Sequence, residues 1–109
     1  MFKIVPNPTF VAEARITVPG ADAGLLKIEW RHQGRAALKD WMESASAKGD
    51  GDALHAVIAS WSEVVDVLGD PVNYSRSALA DLLDAYPTAA GELFQAYIDA
   101  LTESRLGNS

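Results

Sequence analysis

A chain of 109 residues, 49% hydrophobic and 22% charged, has the size and makeup of one globular domain, which excludes a disordered chain. It contains no cysteine, so a disulfide framework and a thiolate metal site are both excluded. The net charge of −6, with no stripe of Lys or Arg, argues against a nucleic-acid binder.

The charge is unevenly spread. Residues 1–48 carry seven Lys/Arg against five Asp/Glu, a balance of +2, and residues 49–109 carry two against ten, a balance of −8. The acidic part could steer a basic protein partner, or it could be no more than the solvated faces of helices. No apolar run approaches the roughly 18 residues that a membrane span needs. The opening Met1-Phe2-Lys3-Ile4-Val5-Pro6 is too short for a signal segment, so a soluble, intracellular protein is expected.

The first third reads as β-structure. Phe2-Lys3-Ile4-Val5 is a candidate short edge strand, stopped by Pro6 and Pro8. From Thr9 to Val18 the residues alternate, with Phe10, Ala12, Ala14, Ile16 and Val18 on one face and Val11, Glu13, Arg15 and Thr17 on the other. Period-two alternation of that length predicts a half-buried strand. Residues 19–24 carry turn chemistry, a loop of about six residues. Leu26, Ile28 and Trp30 then alternate with Lys27, Glu29 and Arg31 to complete a hairpin. Two or three strands are not stable alone, so later segments must cover their apolar face.

The remainder reads as about four helices. Leu38, Trp41, Met42 and Ala45 form a helical stripe behind Gly34, and residues 48–52 interrupt it. Asp50 or Asp52 is the expected cap of a second helix carrying Leu54, Val57, Ile58, Trp61, Val64 and Val65, which Gly69-Asp70-Pro71 stops. Ser75 is the natural cap of a short helix bearing Leu79, Leu82 and Leu83. Pro87 is expected at the first position of the last helix, whose stripe is Ala90, Leu93, Phe94, Tyr97, Ile98 and Leu101. The expected architecture is a single α+β domain over 1–109. A β-hairpin region spans 1–33, with three short strands if Phe2–Val5 pairs; a helical region spans 34–105 and a frayed tail 106–109.

The sequence holds no recognisable catalytic or metal-binding constellation. His32 and His55 are the two histidines, and neither stands in metal-ligand spacing with a second histidine or a Glu-x-x-His pair. Asp50-Gly51-Asp52 lacks the spacing of a calcium loop, and Asp81 with Asp84 reads as the wet face of an amphipathic helix. No phosphate-binding glycine loop and no nucleophile elbow is present. No catalytic, cofactor-binding or metal residue is therefore assigned, and the chain is expected not to be an enzyme. Trp30, Trp41 and Trp61 fall on core-facing positions. Tyr74, Tyr86 and Tyr97, in the acidic part, are the candidate partner-binding residues; the alternative is that they close the domain's own core.

Several stretches in order carry a family likeness. The opening Phe2–Phe10 is one, and Glu29-Trp30-Arg31-His32 closing a hairpin before a helix is another. Trp61 follows a run of small and aliphatic residues. The stretch from Tyr74 to Leu83 leads into Tyr86-Pro87-Thr88-Ala89-Ala90, and Phe94-Gln95-Ala96-Tyr97 runs into the Leu101–Asn108 tail. With these the chain resembles, over nearly its whole length, the tail assembly chaperones of long-tailed phages and prophages. Gly34 departs from the Ser or Thr cap more usual at the first helix, although Gly also serves there.

The resemblance implies a non-structural assembly factor in the cytoplasm of a bacterial host, without cofactor. Such a factor binds and solubilises the tape measure protein, helps recruit tail tube protein, and leaves before the virion is finished; self-association would help it cover a long partner. Two other classes stay open: a structural tail protein such as a terminator or completion protein, and a small adaptor or antitoxin-like domain.

Overall fold

The computed structural model describes residues 1–103. It is an α+β fold with the element order β1 (Thr9–Ile16), β2 (Gly24–Arg31), α1 (Arg35–Lys48), α2 (Asp50–Val57), β3 (Ile58–Ser62), α3 (Arg76–Ala85) and α4 (Ala89–Thr102). The frayed tail expected at 106–109 lies outside the described residues.

The strands form one antiparallel sheet in the order β1-β2-β3. Alternation sets the pairing: Phe10 sits opposite Trp30, Ala12 opposite Ile28 and Ala14 opposite Leu26, so the apolar residues share one face. That face is the core side. Ala14, Ile16, Leu26, Ile28 and Trp30 are all buried, while Val11, Glu13, Arg15 and Leu25 stay exposed. The hairpin loop runs over residues 17–23, one residue longer than expected.

α4 lies along β1 and α2 lies against β2 and β3, which closes the sheet's apolar face. α1 packs on α2, and α3 bridges α2 and α4. The core joins Trp30, Ile28, Leu54, Val57, Ile58, Leu79, Leu93 and Tyr97, all essentially inaccessible to solvent. Each such large side chain contributes about 1.5–3 kcal/mol on leaving water. The three indoles are also satisfied: Trp30 Nε1 donates to Ala12 O at 3.2 Å, Trp41 Nε1 to Ala53 O at 2.9 Å and Trp61 Nε1 to Val72 O at 2.8 Å. Each tryptophan therefore fixes two chain segments against each other.

Four expectations are corrected. The segment Leu54–Val65 is not one helix: α2 ends at Val57 and the chain turns at once into β3, so the stretch expected to be wholly helical holds the third strand. Phe2–Val5 forms no strand and is exposed. The cap of α2 is Gly49 (φ 87°), because the backbone there leaves the helical region for one that glycine reaches without strain; Asp50 and Asp52 fall in the first turn. Pro87 stands in the turn before α4, whose cap is Thr88. By contrast Gly34 does precede α1, and the Ser75 side chain accepts from Ala78 N–H at the start of α3.

Candidate protein-interaction surface

The three tyrosines singled out in the sequence do not make one surface. Tyr97 points inward from α4 and is fully buried, which corrects its assignment to a partner surface. Its ring lies 5.1 Å from Trp30, 5.2 Å edge-on from Trp41 and 6.5 Å from Phe10, between centroids. Its Oη donates to Arg31 O at 2.7 Å, and burial pushes its pKa up to about 12. No ring face is left for a partner.

Tyr74 is half-buried. It meets Trp61 edge-on at 5.0 Å, stacks on His55 at 5.8 Å and shares a 2.7 Å hydrogen bond with His55 Nδ1. Burial raises its pKa. His55 stands in the last turn of α2, so the pair ties α2 to the segment leading into α3. Tyr86, also half-buried, caps the C-terminus of α3, its N–H donating to Leu82 O. Tyr74 and Tyr86 thus show one edge to solvent, and each is also a packing residue.

Among the described residues apolar surface stays uncovered elsewhere, and beside the exposed Val11 and Leu25 of the hairpin three places stand out that the sequence reading did not identify as binding features. One is a mainly apolar groove between α1 and α4, lined by Trp41, Met42, Ala45, Gly91, Phe94 and Ile98 with the polar Gln95. Its floor is the Trp41–Phe94 pair, 5.4 Å apart, and Met42 stands on its rim, 53% exposed. Gly91 and Ala45 keep the groove open, and a Cβ built at Gly91 would meet no atom within 4 Å. Small residues beside an adaptable methionine and an aromatic floor suit an apolar helix laid into the groove.

The second is a turn projecting Val67 and Leu68, 98% and 81% exposed. Asp66 builds it: its Oδ1 accepts from Leu68 N–H at 2.9 Å and Asp70 N–H at 3.0 Å, and its O accepts from Gly69 N–H. Gly69 supplies the φ of 85° that closes the turn, and Val65 bridges Pro71. The turn holds itself together without its apolar side chains. Asp-x-x-Gly was the signal for it, masked because Val64 and Val65 extend the helical period of α2. The third is the N-terminal arm, where Phe2 and Ile4 are more than 90% exposed.

Charge chemistry is sparse. Two ion pairs are present among the described residues, Lys27–Glu63 at 2.6 Å and Arg76–Asp52 at 3.0 Å, both at the surface. Glu92 accepts from Thr17 N–H and Oγ and from Thr88 Oγ1, which lowers its pKa. Among the described residues no group of three or more His, Asp or Glu converges to hold a metal ion, and no helix is long and apolar enough to cross a membrane.

No curated protein and no solved structure matches the chain. A family model does: that of the phage tail assembly chaperones matches residues 1–108. The match covers both the sheet and all four helices. The chain belongs to the phage tail assembly chaperone family.

Proposed function

We propose that this chain acts without catalysis, by binding the tape measure protein of its phage, keeping it soluble until tail tube protein encloses it, and then leaving the particle. The α1–α4 groove is the observation that carries the reading. A long helical partner exposes apolar seams before assembly, and an open apolar trough with small residues on its walls is shaped to receive one. Family membership supports tail assembly and protein partners; the choice of tape measure protein is what the family resemblance implies, and the groove is a surface that would suit it. Many copies along one long partner would add avidity to a weak single contact.

Co-expression with the tape measure protein tests this. Soluble partner co-purifying with the chain, and absence of the chain from purified virions, is the expected result. A tape measure protein that stays insoluble and unbound beside a folded chain would end the chaperone reading. Detection of the chain in virions would favour a structural tail protein.

A further inference from the structure

The geometry points to a strand exchange between copies of this chain, in which the arm Phe2–Val5 of one copy pairs with the free edge of β1 in another. Two unsatisfied halves carry the idea. β1 is an edge of the sheet, and its pairing with β2 determines which backbone groups face outward. His32 N–H donates to Pro8 O in the register that continues through the hairpin, so even-numbered residues of β1 bond to β2. The N–H and C=O groups of Val11, Glu13 and Arg15 therefore point away from the sheet. Thr17 N–H, the next in that series, already has a partner in Glu92. A groove runs beside this edge, between Glu13 and Arg15 on one side and Glu92, Gln95 and Asp99 of α4 on the other, with Ala96 among its lining residues.

The other half is the arm. Its residues alternate as a strand would, yet the arm is unpaired and its large side chains are in solvent. Pro6 and Pro8 limit it to a short pairing segment. Charge chooses the occupant and the register. In an antiparallel pairing that sets Lys3 opposite Glu13, Val5 falls opposite Val11, while Phe2 and Ile4 fall opposite Ala14 and Ala12. The two bulky residues then meet small ones. On the solvent face Glu13 already faces Lys27 across the hairpin, and Lys27 is paired with Glu63. Adding Lys3 places a lysine on both sides of Glu13, Lys27 on β2 and Lys3 on the arm, so that both cross-strand neighbours of Glu13 are opposite in sign, while Glu63, just past β3, reaches Lys27 as an ion pair. A second β1 in the same place would bring its own α4 flank, with Glu92 and Asp99, toward this one, like charge against like.

Sedimentation velocity of the purified chain over a range of concentrations tests the exchange. The parent is expected to associate with rising concentration, whereas the chain lacking residues 1–7, Lys3→Glu and Glu13→Lys remain monomers of unchanged fold by circular dichroism. The double variant Lys3→Glu with Glu13→Lys regains association. Because the chain has no cysteine, mixing Lys3→Cys with Glu13→Cys should yield the mixed disulfide faster than either homodimer. A parent that stays monomeric, or cysteine variants that show no preference for the mixed disulfide, overturns the proposal. Association that survives loss of residues 1–7 overturns it too, and would point to β1 pairing with itself.

Discussion

The Tyr97 hydroxyl donates to the carbonyl of Arg31, joining α4 to the end of β2 across 66 positions of sequence. Around that bond Trp30, Trp41 and Phe10 enclose the ring, so one side chain holds together the sheet, α1 and α4. Tyr97→Phe keeps the packing and loses the bond, an expected cost of about 1 kcal/mol. Tyr97→Ala leaves a cavity among three aromatic residues and is expected to cost about 3–5 kcal/mol. Urea unfolding of both variants measures the difference. A loss for Tyr97→Phe as large as for Tyr97→Ala would contradict the division between bond and ring.

The same tyrosine sets an alkaline limit. Its raised pKa means that the folded state favours the neutral phenol. The associated stability is complete below the ordinary tyrosine range and is lost as pH rises from there through about 12, where the folded group ionises. In spectrophotometric titration one of the three tyrosines should ionise last, and Tyr97→Phe should remove that final step. Titration of all three at the ordinary pH would contradict the buried assignment.

Glu92 gives the opposite dependence on the acid side. Thr17 and Thr88 donate to its carboxylate near the start of α4, and its pKa is lowered. A carboxylate stabilised in the fold contributes fully above the ordinary glutamate range, and the contribution disappears as pH falls through the lowered folded value. Thermal midpoints of the parent and Glu92→Gln should differ at neutral pH and converge in acid. A gap that persists unchanged at low pH would mean that the charge is not what matters at this position.

Capping offers a local test. Ser75 accepts from Ala78 N–H at 3.0 Å and starts α3, so Ser75→Ala should cost about 1 kcal/mol. Ser75→Asp, which keeps an acceptor, should retain most of it. Equal losses in both would show that the hydroxyl's bond is not the stabilising feature.

Ile58 and Trp61 explain why the helical pattern misled over one stretch. On a helix, positions three apart share a face, and on a regular strand they oppose each other. In β3 both are buried because the register against β2 shifts: Ser60 pairs with Glu29 but Ile58 with Trp30, leaving Ala59 as the extra residue of a bulge. The bulge gives a strand the apolar spacing of a helix. Length and period alone could not separate the two, although Val57-Ile58 as adjacent β-branched residues favoured the strand. The hairpin, with strict alternation and no bulge, was legible residue by residue. Tyr97 shows a different limit: spacing placed it on the apolar stripe of α4, but only the tertiary meeting with Trp30 and Trp41 shows that it is enclosed. The α1–α4 groove was least legible, since it depends on what Met42 and Gly91 fail to touch.

That groove yields the most direct test of how the chain engages its partner. Met42 is exposed and holds no part of the buried core, so Met42→Glu should leave folding within about 0.5 kcal/mol of the parent. On the proposed function it should nevertheless abolish capture of the tape measure protein, because a carboxylate on the rim would have to lose water against an apolar seam. Gly91→Leu acts by another route: its side chain would extend into the open groove and occupy the space that a helix needs. Gly91→Ala, too short to fill it, should bind normally and stabilise α4 by about 0.5 kcal/mol. Val67→Glu on the projecting turn serves as a control of equal charge at a distant exposed site. If Met42→Glu and Gly91→Leu capture partner as the parent does while Val67→Glu does not, the turn is the docking site and the groove is not.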